Sequence, residues 1–400
     1  MNSETHNSTP TPKSAPDVLI FEPKTEGHHL PWLRMITEDL LGAGLRLTLA
    51  IDDRPETRKR VEDQLGEVLD RVTVMSAASP EALAQGRFDP LQVAQCLEKS
   101  GAARVFMPCF DEIASALLRR AAFGLRPPTV LKGRLGFIYH RPRVLMPAGL
   151  SINRILKQRG FLRLLRGGWF DRILLLDEFL AAEQSASPAG KIFSFLPTPA
   201  PRTYCVPRAE ARRRLGLSED KRIFLFYGGG YRRKGLHLAV EAMASLPENN
   251  SAFLLCAGQQ PRDPELAAGM KRLEGAGRVM SLNRYVTTEE EELCFCACDA
   301  VLVPYIKHFG VSAVLSQAVM ADRMVIASDE ELTGRRVRDY HLGLLFPSGN
   351  AAALAECIAS ASRMTEAETA PFLHAINQYR PQCTREAFAR ALRTSFGVVN

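Results

Sequence analysis

The run Gly228-Gly-Gly-Tyr-Arg-Arg-Lys-Gly235 combines two features that hold phosphate. It follows the hydrophobic run RIFLFY (222–227) and leads into KGLHLAVEAMASL, a helical pattern, so its glycines form a strand-to-helix turn. Amides at a helix start and the cations Arg232, Arg233 and Lys234 converge on one place, which suits a diphosphate. Two common nucleotide motifs fail. Position 233, where G-x-G-x-x-G needs its third glycine, is Arg, and a Walker loop needs Ser or Thr after Lys234, where Gly235 stands. The plainer alternative is a tight turn whose solvated cations sit at the unfavourable, positive end of a helix.

Other candidate chemistry is spread along the chain. His28 and His29 are adjacent in a Gly-containing loop, and neighbours in sequence do not face one metal as an i, i+4 pair does, so a zinc reading is poor. Cys294, Cys296 and Cys298 lie on a helical pattern whose 100° steps fan them apart, which suits small buried residues. Charge is concentrated in one place. Between Val130 and Arg172 there are ten Lys/Arg, among them Lys132, Arg141, Arg159, Arg163 and Arg166, against the single acid Asp171. Apolar residues interleave with these cations in SINRILKQRGFLRLLRGGWF. That pattern fits a basic amphipathic helix on an anionic membrane or polyanion, or else a solvated face with Arg stems covering apolar neighbours. No zinc-finger spacing or aromatic RNA-binding run points to nucleic acid.

The elements that must position these groups alternate. DVLIFEP, then a loop and helix over TEGHHLPWLRMITEDLLGAG, then LRLTLAIDD form a β-α-β opening. RVTVMS, ARVFMPC, RPPTVLKG and DRILLLD continue as strands, with PLQVAQCLEKSG and EIASALLRRAAFG as helices. Pro197, Pro199, Pro201 and Pro207 mark a linker, after which the alternation restarts. Strands are expected at RIFLFY, AFLLCAG, RVMSLNRYV, AVLVPY and MVIASD, with helices between them. This organisation predicts an α/β chain of two Rossmann-like domains with the binding site in the cleft between them. The expected boundaries are a disordered lead at 1–16, an N-terminal domain at 17–200, a C-terminal domain at 201–383 and a C-terminal helix at 384–400 that returns to the N-terminal domain.

Composition sets outer limits. The 400 residues are 46% hydrophobic and 24% charged, values of an ordinary globular chain large enough for its own core. No apolar run reaches the ~18–20 residues of a membrane span, and the polar start MNSETHNSTPTPKSAPD has no signal-peptide core. Nine cysteines without a C-x-x-C pair read as reduced thiols, so a cytoplasmic chain is expected, with peripheral attachment to the inner membrane face left open.

Taken in order, IFLFYGGGYRRKGLHLAVEAMASL, FLLCAG, RVMSLNRYVTTEEEELCFCACDAVLVPY, HFGVSAVLSQAVMADRMVIASDEELTGRRV and LGLLFPSGNAAALAECI resemble the C-terminal half of family 4 glycosyltransferases of the GT-B fold. The match spans most of residues 221–360, and the N-terminal half resembles the family more loosely. The resemblance implies transfer of a sugar, of the hexosyl type, from a nucleotide-diphosphate sugar to an acceptor hydroxyl. It implies no cofactor beyond that donor substrate. Lys234 falls on the family's phosphate-contacting lysine. Gly229 replaces the arginine usual after the first glycine, so Arg232 or Arg233 would substitute. The two-glutamate motif aligns with Phe309 and Gln317; Gln317 can still hold a ribose hydroxyl, and His308 stands beside Phe309. Tyr285 and Val286 fall where base and ribose are contacted, and Gly228, Gly310, Val311 and Ser312 near the phosphates or sugar. In the N-terminal half, Gly27 falls with the loop that touches donor phosphate, and His28 and His29 with acceptor contacts. The family often has a histidine after the strand read here as PPTVLKG, where this chain offers Lys132; His140, followed by Arg141, is the nearest candidate for that catalytic place.

The family's retaining chemistry would need no protein nucleophile: Lys234 and a neighbouring arginine stabilise the leaving diphosphate, whose oxygen takes the acceptor's proton. No D-x-D pair occurs among the candidates, consistent with a metal-independent reaction. The expected acceptor is a glycan or lipid-linked molecule. Two other readings stay open: a non-catalytic binding or scaffold protein on the same fold, and a GT-B-like epimerase or phosphorylase acting on sugar phosphates.

Overall fold

A computed structural model describes residues 17–147 and 151–398 and divides the chain into two units. One runs to Phe195 and includes the chain from Leu392 onward; the other is Leu196–Ala391. The lead expected at 1–16 lies outside the described residues.

The first unit holds seven strands: β1 (Val18–Glu22), β2 (Leu47–Ile51), β3 (Thr73–Ser76), β4 (Arg104–Met107), β5 (Leu135–Tyr139), β6 (Phe170–Leu175) and β7 (Phe193–Phe195). All pairings are parallel, in the order β3-β2-β1-β4-β5-β6-β7. The order reverses between β1 and β4, the place where open α/β sheets bind ligands beyond their strands' carboxyl ends. Strands β1, β2 and β5 are buried along their whole length, as expected of a parallel sheet covered on both faces.

RPPTVLKG is not a strand. Two consecutive prolines withhold the amides a ladder needs, and the chain makes a short 3-10 turn at Thr129–Leu131. The strand follows at LGFIY, which is β5. This moves Lys132 to the amino end of β5 and leaves His140 at its carboxyl end.

The second unit repeats the plan with β8 (Arg222–Tyr227), β9 (Ala252–Ala257), β10 (Val279–Leu282), β11 (Ala300–Val303), β12 (Met324–Ser328) and β13 (Gly343–Phe346). They are parallel in the order β10-β9-β8-β11-β12-β13, reversing between β8 and β11. Both units are thus Rossmann-like α/β sheets. The proline-rich stretch packs within the second unit: Ser316 Oγ donates to the Thr198 carbonyl at 3.0 Å, and the Ala200 amide to Cys383 O at 2.9 Å. The end of the chain packs in the first unit, where Phe396 meets Phe106 edge-on and the Arg172 guanidinium lies 3.9 Å from its ring centroid.

The basic stretch forms the helix Ile152–Arg166. It approaches the helix Asp111–Ala122 so closely that a Cβ at Gly160 would stand 1.8 Å from Leu118 O. Several of its cations serve the fold. Arg163 donates to the carbonyls of Ala121 and Ala122, the favourable place for a cation at a helix carboxyl end, and Lys157 donates to Ser115 Oγ at 2.8 Å. Cys294, Cys296 and Cys298 are buried among apolar neighbours of the second core.

Candidate functional site

In the second unit, β8 ends at Tyr227 and the chain turns through Gly228 at φ 102°. The Gly228 amide donates to Ala257 O and the Gly230 amide to Gln259 O, so these two amides are spent on the neighbouring strand's loop rather than left for a phosphate. Residues Arg232–Lys234 make a 3-10 turn, and Gly235 at φ 78° starts the helix Leu236–Ser245. Glycine is required there: a Cβ would stand 1.9 Å from Pro304 O. No side chain caps this helix start, which leaves its first-turn amides for an anion.

The cations lie before the helix rather than on it, and two of them converge on the residues after β11. Lys234 Nζ donates to Tyr305 Oη at 2.7 Å and stands 4.0 Å from that ring's centroid. Arg233 Nη1 lies 3.1 Å from His308 Nδ1, whose ring meets Tyr305 edge-on. The Arg233 carbonyl accepts from the Ile306 amide, which ties the turn to the strand end. Arg232 is exposed on the same turn. Ser312 is buried; its Oγ accepts from the Leu315 amide as a helix cap and lies 3.4 Å from Tyr305 Oη. Gly310 and Val311 form the approach to that cap, and Val311 O lies 3.3 Å from His308 Nε2. Sequence reasoning missed Tyr305, the residue at the centre of this cluster. Its one signal was a polar-tipped aromatic just past a hydrophobic strand.

Gln317 is buried on the helix Ala313–Met320, near Tyr204. Tyr204 and Tyr227 both donate to Glu291, which also pairs with Arg202 at 3.2 Å. Tyr285 is 86% exposed in the loop after β10, with half-buried Val286 next to it.

In the first unit, the loop after β1 turns at Gly27 (φ 62°) into the helix His29–Gly42. The rings of His28 and His29 stack with centroids 4.5 Å apart, and His140 lies 5.4 Å from His28 and 5.2 Å from Trp32. Exposed Arg141 follows His140. The structure therefore gathers Gly27, His28, His29, His140 and Arg141 at the carboxyl ends of β1 and β5. Lys132 stands at the opposite end of β5, beside Arg163 and Trp169.

Electrostatics distinguish the histidines. Desolvation on the packed side of each ring, with the neighbouring histidines and Arg141 adding to it, pushes His140 and also His28, which keeps an exposed edge, down to about 4, so both are neutral at pH 7. His140 Nε2 lies 2.9 Å from the Pro108 carbonyl. For His29 burial works the same way, but its contact with the Glu22 carboxylate, 3.0 Å away, outweighs burial and raises it. Burial raises Asp111 to about 6 despite a hydrogen bond from the His140 amide.

Two parallel α/β sheets, the second with a phosphate-suited turn at its reversal, are the fold of the GT-B class. Residues 207–371, all within the second unit, match the family Glycosyl transferases group 1, which bears out the resemblance of the C-terminal half. Solved structures agree on the fold. Anabaena HepE in complex with UDP aligns at 15% identity over 96% of this chain and 100% of that one, with a TM-score of 0.69. WaaG, a glycosyltransferase involved in lipopolysaccharide biosynthesis, aligns at 16% identity over 96% and 99%, with 0.61. Sucrose-phosphate synthase from Thermosynechococcus elongatus aligns at 18% identity over 96% and 100%, also with 0.61. No curated protein matches the chain. Among the described residues no helix is long and apolar enough to cross a membrane.

Proposed function

We propose that the protein is a retaining glycosyltransferase that moves a hexosyl group from a nucleoside-diphosphate sugar, with UDP as the first base to test, to an acceptor hydroxyl. The observation that carries this reading is the convergence of Arg233 and Lys234 on Tyr305 and His308 at the second sheet's reversal. Lys234, Arg233 and the uncapped amides of the helix Leu236–Ser245 would face the diphosphate and stabilise the charge that grows on it as the bond to the anomeric carbon breaks. The acceptor oxygen bonds to that carbon on the same face, and its proton passes to the departing phosphate oxygen. No metal takes part in this sequence. His28, His29, His140 and Arg141 supply acceptor contacts, and Tyr285 with Val286 receives the base.

The acceptor we favour is a glycan or a lipid-linked molecule, approached by a cytoplasmic protein that rests peripherally on an anionic membrane. HepE binds UDP and UDP-glucose, which makes uridine donors the first panel. The test measures UDP release from UDP-hexoses with and without candidate acceptors and reads the anomeric configuration of the product by NMR. Retained configuration is expected. Nucleotide binding with no release or transfer from any donor would favour the non-catalytic reading, and failure to bind any nucleoside diphosphate would overturn both.

A further inference from the structure

At the reversal point of the first sheet, His28, His29 and Cys109 each offer one ligand atom, and these atoms all lie within 4.8 Å of one another. We propose that this trio is a binding site for a borderline-soft divalent cation of the zinc class.

The juxtaposition comes from topology. Strands β1 and β4 are hydrogen-bonded neighbours, so the loop after β1 and the residues just past Met107 meet although they are far apart in sequence. The objection to adjacent histidines also yields to geometry. His28 precedes the helix that His29 opens, and the two rings stack rather than diverge. A thiolate and two imidazoles are zinc's preferred donors. In a tetrahedral site their atoms stand about 3.5 Å apart, so the trio must draw in by roughly 1 Å on binding. Exposed His28 has room to make that movement.

A second observation points the same way: a carboxylate stands behind one of the ligands. Glu22, itself 1% exposed, lies 3.0 Å from His29 Nδ1, while Glu112 Oε1, 3.9 Å from Cys109 Sγ, accepts from the S–H of the metal-free thiol. A carboxylate behind a ligating histidine orients the ring and strengthens it as a donor. Lys24 pairs with Glu112 at 2.5 Å. On binding, the Cys109 S–H bond breaks, sulfur donates its electron pair to the metal and the proton leaves to buffer. The ion would cover His28 and His29, so it would compete with the acceptor and not with the nucleotide. That consequence rests on the transferase reading, whereas the binding itself does not.

The experiment titrates the chelator-treated full chain with Co2+ and then Zn2+. The expected result is a near-ultraviolet thiolate-to-cobalt charge-transfer band with visible bands of tetrahedral cobalt, both erased by Zn2+. Cys109→Ser loses the charge-transfer band, while Cys205→Ser, which alters an exposed thiol, keeps it. His28→Ala, at an exposed position that cannot unseat the core, binds at least about 10-fold more weakly. Absence of the band in the parent, its persistence in Cys109→Ser, or unchanged affinity in His28→Ala would each overturn the proposal.

Discussion

Lys234 Nζ donates to Tyr305 Oη at 2.7 Å while standing 4.0 Å from the centroid of the same ring. One aromatic residue thus holds the ammonium by a hydrogen bond and by the face of its π-system. Because Tyr305 is buried at the end of β11, the Lys234 charge is fixed relative to the sheet rather than waving in solvent. A phosphate arriving there meets a cation already in place.

Lys234→Ala should therefore weaken UDP binding by about 2–4 kcal/mol, the cost of a partly buried charge-assisted contact. Tyr305→Phe keeps the ring and loses only the hydroxyl, so its loss should be smaller. Isothermal titration of both variants decides the order. Equal affinity in Lys234→Ala and the parent would place the phosphates elsewhere.

Gly235 and Gly216 share a left-handed backbone, with φ of 78° and 68°, but differ in their surroundings. A Cβ at Gly216 meets nothing within 4 Å, whereas one at Gly235 collides with Pro304 O. Gly216→Ala should cost about 1–2 kcal/mol from backbone strain alone. Gly235→Ala must also push the turn away from β11, so it should cost more and lower UDP affinity as well. Thermal denaturation measures the first difference. Comparable melting temperatures in the two variants would contradict it.

Strands β8 to β12 were legible because runs such as RIFLFY and AFLLCA are buried on both faces and carry an apolar signal, whereas β13, the short run GLLF, was not expected. The first sheet was legible except at β7, whose short run FSF merges with the proline-rich linker, and where composition misled. PPTVLKG has strand-like residues but lacks two amides, and LGFIY lay hidden behind it. The turn at Gly228–Gly235 was visible from glycine and charge. Tyr305 and Cys109 were not, since their roles depend on which strands are neighbours. Parallel pairing across a sheet reversal leaves no trace in local spacing.

Tyr285 offers a separate test of the base contact, because the residue is 86% exposed. Tyr285→Ala should leave the melting temperature unchanged and weaken UDP by about 1–3 kcal/mol, the usual worth of stacking a base on an aromatic ring. Affinity for inorganic diphosphate should stay the same. Parallel loss of both ligands would mean that the variant disturbs the phosphate turn rather than the base.

The helix Ile152–Arg166 carries the last prediction. Ile152, Ile155 and Leu162 are 74%, 48% and 44% exposed, and Arg159, Arg163 and Arg166 are exposed with them. Positions 152, 155, 159, 162 and 166 recur at helical spacing, so apolar and basic side chains share one face. Such a stripe can seat its apolar groups among lipid headgroups while each cation near an anionic surface adds ~1 kcal/mol. Arg163 must be left intact in the test, because its guanidinium holds the carbonyls of Ala121 and Ala122. The variant is then Arg159→Glu with Arg166→Glu, which reverses charge without removing that cap. The parent should float with anionic vesicles at low salt and release as salt rises, since attraction is screened over ~8 Å at physiological ionic strength. The double variant should stay in solution and keep the parent's UDP affinity. If the parent ignores anionic vesicles at low salt, the stripe is not a membrane surface and the acceptor must be sought among soluble glycans.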